Sequence, residues 1–233
     1  MLAKKTLTSF LLAGMVPLVS MSLAACSGTT SPSAEGSPSS SNTAQMDHGS
    51  MGNSSPMPMD HGSMMNMDLG PADESFDLRF IDAMIPHHEG AVAMAQEALQ
   101  KSNRPEIQQL AQAIIDAQEQ EISELKEWRT AWYPSAGDEP MMYSAEMGHM
   151  MPMTEEMRSS MMMNGDLGAA DDQFDLRFIN AMIPHHQGAI DMAQQALEKS
   201  DRPEIQELAQ NIIDSQQQEI SQMEQWRKDW YGQ

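Results

Sequence analysis

The chain has 233 residues, with 34 acidic against 13 basic side chains and a formal net charge of −21. Such a surface repels nucleic acid and anionic lipid and attracts cations, so nucleic acid is not an expected partner. One cysteine, Cys26, excludes a disulfide framework and a cysteine metal site, whereas 25 methionines far exceed what a core uses as gap-fillers.

Lys4 and Lys5 precede an apolar run from Phe10 to Ala25, too short to span a membrane comfortably, that ends in Leu23-Ala24-Ala25-Cys26. Residues 1–25 therefore read as a lipoprotein signal peptide with Cys26 as the lipidated residue; the alternative is an ordinary signal peptide with an incidental cysteine. Lipidation places the protein outside the cytoplasm in a bacterial cell envelope, on the periplasmic side or the outer surface. Acyl chains then hold it to the membrane without a spanning helix.

Residues 26–70 read as a disordered tether, Ser/Pro-rich at first and then Met/His-rich. Within it Met46-Asp47-His48-Gly49-Ser50-Met51 recurs as Met59-Asp60-His61-Gly62-Ser63-Met64.

An internal repeat follows at an offset of 98 residues: Phe76 to Tyr133 aligns without gaps on Phe174 to Tyr231, with 41 identities in 58 positions. Each copy predicts two helices. The first runs from about Asp73 to Lys101, or Asp171 to Lys199 in the second copy, with Pro86 or Pro184 expected to kink it before a His-His pair. The second begins at Pro105 or Pro203, residues suited to a first helical turn, and ends near Tyr133 or Tyr231. Short connectors fold each pair back antiparallel. A heptad stripe from Ile107 through Ile114 and Leu125 to Trp132 needs a partner surface, so the expected fold is all-α: a four-helix bundle made of two tandem helical-hairpin repeats, residues 71–135 and 169–233. Residues 136–168 form a Met-rich linker, with a short helix opened by Thr154-Glu155-Glu156.

On a helical wheel Met84, His87, His88 and Met94 fall within roughly a third of the circumference. Met182, His185, His186 and Met192 repeat the set. Thioethers are soft, uncharged donors suited to Cu(I) or Ag(I), and imidazole suits both copper oxidation states. The competing reading makes these methionines core and the histidines hydrogen-bonded, but two adjacent imidazoles on an apolar face must both be satisfied, and the set occurs twice. Asp77 and Asp175 lie on the same face. Gln118, Glu121, Gln216 and Glu219 occupy inward positions of the second helices, either orienting the histidines from behind or fixing register between helices. Met223 stands where the first repeat has Leu125.

Of the 22 methionines beyond the leader, 17 lie outside the hairpins, where a solvated linker has no packing use for them. The segments around Met46, His48, Met51, Met59, His61 and Met64, and around Met147, His149 and Met150, are accordingly further candidate ligands. Methionine needs no deprotonation and keeps binding Cu(I) at acidic pH.

The run Phe80-Ile81-Asp82-Ala83-Met84-Ile85-Pro86-His87-His88 with Ala91 and Met94-Ala95, its copy from Phe178 to Met192-Ala193, and the downstream Ile115-Asp116-Ala117-Gln118, Glu121-Ile122 and Trp128 resemble the hallmark of the domain of unknown function 305 family (DUF 305). The resemblance covers roughly residues 71–233. It implies a ferritin-like helical fold and an exported copper-binding or copper-tolerance protein, with ligands at the matching Met and His positions.

The leading expectation is a non-enzymatic protein that sequesters copper, or hands it to a copper exporter or another metallochaperone, with Cu(I) preferred and Ag(I) or Cu(II) as alternatives. A ferritin-like di-metal oxidase would need four carboxylates and two histidines, including Glu-x-x-His motifs on bundle helices, and the one such motif is Glu146 to His149 in the linker. No nucleophilic triad or phosphate loop is visible. A structural bundle without metal is the third reading, distinguished by tolerance of Met-to-Leu replacement.

Overall fold

In this computed structural model the described residues are 67–233. Cys26 and the repeated Met46–Met51 and Met59–Met64 motifs lie outside them, as does most of the tether. The elements are α1 (Phe76–Lys101), α2 (Pro105–Trp132), β1 (Met141–Ser144), β2 (His149–Pro152), α3 (Glu155–Met162), α4 (Phe174–Lys199) and α5 (Pro203–Tyr231).

Local chemistry sets the hairpin turns. Pro105 and Pro203 open α2 and α5, where a missing N–H costs nothing. Ser102 caps α1 in an extended conformation. Its hydroxyl accepts from Arg104 N at 3.1 Å, and its carbonyl accepts from Gln108 Nε2 at 2.8 Å. Ser200 repeats both bonds at 3.2 and 2.7 Å. Both long helices run unbroken through Pro86 and Pro184.

The hairpins pack through α1 and α4 and share their cores. One apolar cluster joins Phe76, Phe80 and Met84 of α1 to Met192, Ala193 and Ala196 of α4 and to Ile205, Leu208 and Ile212 of α5. The other is its counterpart, with Phe174, Phe178 and Met182 against Met94, Ala95, Ile107 and Ile114. Phe80 and Phe178 are fully buried, each worth about 2–3 kcal/mol of apolar transfer. At each end an arginine from one hairpin lies over a tryptophan of the other: Arg202 is 4.2 Å from the Trp132 ring centroid and Arg104 4.3 Å from that of Trp230.

Two features depart from the sequence expectation. Residues 67–70, assigned to the tether by composition, are packed: Met67 and Leu69 are buried. Gln195 clamps them, donating to Met67 O at 2.7 Å and accepting from Leu69 N at 3.0 Å, and Lys199 Nζ donates to Gly70 O at 2.8 Å. The linker also contains a strand pair, β1–β2, antiparallel with Met142 opposite Met151.

That linker covers one side of α1. The Asp82 carboxylate, 2% exposed, accepts from Met141 N at 2.7 Å and pairs with Arg129. Its counterpart Asn180 is exposed. Thr154 caps α3 by accepting from Met157 N at 3.2 Å. The far end of α3 presses on Gly90, where the Met162 carbonyl occupies the space a Cβ would need. Met163 then turns the chain in a left-handed conformation, φ 48°.

Candidate metal centre

Adjacent residues of a helix diverge by about 100°, so a His-His pair looks in two directions. His88 faces its own hairpin partner α2, with Nε2 2.7 Å from Glu121 Oε2 though off the axis of a hydrogen bond. His186 does the same in the second hairpin, 2.6 Å from Glu219 Oε2 on α5. His87 and His185 meet each other where α1 crosses α4, their ring centroids 3.9 Å apart and tilted by 46°. With His87–His88 and His185–His186 centroid distances of 6.5 and 6.4 Å, the four imidazoles form one row through the centre of the protein. All four are at most 1% exposed.

A buried imidazole without partners is costly. Neither ring nitrogen of His87 has a hydrogen-bond partner. His185 Nε2 lies 3.1 Å from Met162 O and, facing an oxygen that can only accept, carries the ring proton; its Nδ1 has no partner. Burial, reinforced by the neighbouring histidines, holds His87 well below the ordinary 6.5 and His185 at about 3. Both rings therefore stay neutral, with lone pairs available, through the mildly acidic range.

Gly188 marks where two methionine side chains come up beside His87. A Cβ there would lie 3.0 Å from His87 Nε2, 3.2 Å from Met67 Cε and 3.7 Å from Met163 Sδ. The space beside Gly188 is thus filled by an unpartnered imidazole nitrogen and two methionine side chains, with the His185 ring tilted against His87. Two neutral imidazoles and two thioethers suit a monovalent soft ion such as Cu(I) or Ag(I), whose charge they leave at +1.

The other sequence candidates fall in five groups. Met84 and Met192 sit together in the first apolar cluster, and Met94, Met182 and Met223 in the second, all at most 1% exposed. They are divided between two packed layers and are not gathered around one point. Met147 is exposed in the β1–β2 turn, His149 is exposed on β2, and Met150 faces α1 with Sδ 3.3 Å from Arg79 Nη1. Asp77 and Asp175 do not support the histidines: they pair across hairpins with Arg202 and Arg104, each at 3.2 Å, bracing the connectors. Gln118 and Gln216 are buried with Oε1 unpartnered.

Sequence reasoning missed Met67 and Met163 as neighbours of His87 around Gly188. One signal for Met67 was present: Asp68-Leu69-Gly70 directly after it recurs as Asp166-Leu167-Gly168, at the same offset as the hairpins. Arg79 Nε donates to Leu69 O at 2.5 Å and Arg177 Nε to Leu167 O at 2.6 Å, so both copies of this entry segment are tied down alike.

The chain has solved relatives. CopM in its Cu(I)-bound form is 39% identical, aligning over 66% of this chain and 97% of its own with a TM-score of 0.52. The Cu(II)-bound form gives 42% identity, the same coverage and a TM-score of 0.53. An Ag-bound form gives 39% and 0.53, again over 66% and 97% of the two chains. An uncharacterised protein, L153, of Acanthamoeba polyphaga mimivirus is 45% identical over 49 residues, 21% of this chain; the match spans about a third of that protein, 32%. The family profile described as a domain of unknown function, DUF305, matches residues 27–129 and 77–227, together most of the sequence. With the paired Pro-His-His helices at its centre, the chain belongs to the DUF305 family.

Proposed function

We propose that this protein is an exported, lipid-anchored and non-enzymatic binder of Cu(I) or Ag(I), which sequesters the ion or hands it on outside the cytoplasm. The single observation that carries the reading is His87: fully buried, with both ring nitrogens unpartnered, and packed together with Met67 and Met163 against Gly188. A structural bundle has no use for that arrangement, because an apolar side chain there would avoid the desolvation cost. A bound soft ion offsets it. The solved CopM forms with Cu(I), Cu(II) and Ag support copper or silver as the metal.

In this reading His87 and His185 supply nitrogen donors and Met67 and Met163 supply sulfur, while Glu121 and Glu219 hold the outer histidines of the row. The two hairpins form a ferritin-like four-helix bundle whose role is to preorganise the central imidazoles, so that binding loses little conformational entropy. Met84, Met94, Met182 and Met192 remain candidate ligands only if the packed layers rearrange around the ion. The acyl chain on Cys26 keeps the protein at the membrane, within reach of a copper exporter or another metallochaperone, and the Met/His motifs behind it add further metal ligands.

Anaerobic competition against a chromophoric Cu(I) chelator tests the proposal. The variant His87→Ala/His185→Ala should lose the tightest Cu(I) equivalent while keeping its helical circular dichroism. Binding as tight as wild type would make the central row a core feature and remove the basis of the proposal.

A further inference from the structure

The β1–β2 hairpin stands outside the histidine row, and its register sorts its side chains onto two faces. Met141 pairs with Pro152, Met142 with Met151, Tyr143 with Met150 and Ser144 with His149. Successive side chains of a strand point to opposite faces. Tyr143 and Met150 define the inner face, for the Arg79 guanidinium lies 5.5 Å from the Tyr143 ring centroid and Arg79 Nη1 3.3 Å from Met150 Sδ. Met142, Met151 and His149 consequently share the outer face. The bond from Met153 N to Pro140 O, 2.7 Å, sets the alternation of the ladder. Met142 and Met151 thus form a hydrogen-bonded pair with Cα atoms about 5.5 Å apart. Pro152 falls in the next, non-bonded pair, where its missing N–H is harmless. His149 lies two residues from Met151 along the same strand, about 6.7 Å. From those spacings three long side chains can close on one ion.

His149 supplies an independent observation. Its Nδ1 is 3.1 Å from Met147 O. A carbonyl only accepts, so Nδ1 carries a proton, and in the neutral ring Nε2 is the nitrogen with the free lone pair. Fixing one ring nitrogen on a carbonyl is how proteins commonly prepare the other for a metal. The turn is built to hold this geometry. Met147 N donates to Ser144 Oγ at 3.2 Å and Gly148 N to Ser144 O at 2.8 Å, with Gly148 in the left-handed region at φ 69°. The ring is exposed, and Met147 beside it is 52% exposed.

We propose that the outer face of this hairpin is a second soft-metal site, in which the Met142 and Met151 thioethers and His149 Nε2 bind Cu(I) or Ag(I). His149 is exposed and Met142 and Met151 are half-buried at the surface, so the site loads without any opening of the helices. It depends on no residue of the α1–α4 crossing and stands or falls separately from the central histidines.

The test is a titration of the full chain, ¹³C-labelled at the methionine methyl groups, with Ag(I). The Met142 and Met151 methyl signals and the His149 ring signals should shift together along one binding curve. The variant Met142→Leu/Met151→Leu should bind one ion fewer than wild type, and His149→Ala should weaken this site tenfold or more. His87→Ala/His185→Ala should leave the hairpin response intact, which separates this site from the central one. Met142 and Met151 signals unmoved at saturating Ag(I) would overturn the proposal, as would an unchanged stoichiometry in the double leucine variant. Because leucine alters the hairpin surface, His149→Ala at its exposed position gives the second check: unchanged affinity there also overturns it.

Discussion

His87 and His185 lie with their ring centroids 3.9 Å apart although they belong to different repeats. Neither hairpin contains this pair by itself, and neither contains a complete core, since both apolar clusters draw on both hairpins. A fragment of residues 71–135 should therefore show no cooperative thermal transition as a monomer, because its apolar faces cannot offset the entropy of ordering. Analytical ultracentrifugation beside circular dichroism checks this. A monomeric fragment that melts cooperatively would mean that one repeat is a self-sufficient fold.

The same burial makes metal-free stability depend on pH. His87 and His185 are held below their ordinary value in the folded protein by burial, His185 at about 3. Between about pH 6.5 and 3 the unfolded chain then binds more protons than the folded one, so stability rises with pH across that window and is lost as pH falls. Each histidine contributes a slope of up to about 1.4 kcal/mol per pH unit. The melting temperature of metal-free protein should fall between pH 6.5 and 5, before most carboxylates titrate, and His87→Gln/His185→Gln should flatten the fall. A wild-type melting temperature constant over that interval would show the rings to be hydrated.

Two equivalent glycines should respond differently to a methyl group. At Gly90 a Cβ meets the backbone of Met162, which moves only if α3 moves. Gly90→Ala should cost about 1–3 kcal/mol and raise amide exchange across residues 155–163. At Gly188 the neighbours are side-chain ends, His87 Nε2 at 3.0 Å and Met67 Cε at 3.2 Å, which can give way. Gly188→Ala should destabilise less but weaken Cu(I) binding. Equal exchange rates in α3 for wild type and Gly90→Ala would show that α3 is not seated on that glycine.

The helices were legible because their signals are local and occur twice: proline at the first turn, a short serine-capped connector, and an apolar stripe. The convergence on His87 was not, because it depends on partners far away in sequence. Met67 is placed by Gln195, 128 residues on, and Met163 by the left-handed turn after α3. A helical wheel gave Asp77 the right azimuth and ignored height. Ten residues from His87 is about 15 Å along the axis, which leaves Asp77 to pair with Arg202. The wheel likewise turned Met84 and Met94 inward but could not distinguish a packed thioether from a ligating one. The β1–β2 pair escaped because Met-Met-Tyr-Ser and His-Met-Met-Pro carry no β-branched residues.

The donor role of Met67 and Met163 can be separated from their packing. Leucine nearly matches methionine in volume and apolarity, and such swaps usually cost under about 1.5 kcal/mol. It lacks the sulfur lone pairs that a soft ion needs. Met67 is buried at 8% exposure and Met163 is partly buried, so Met67→Leu/Met163→Leu should keep the fold and the His87–His185 contact. With two of four donors gone, the central site should bind Cu(I) at least tenfold more weakly. Zn(II), which takes imidazole but little thioether, should be affected far less. Chelator competition with both ions on wild type and variant decides the matter. A parallel loss for Cu(I) and Zn(II) would point to a distorted pocket, and an undiminished Cu(I) affinity would show that the two sulfurs near Gly188 pack and do not coordinate.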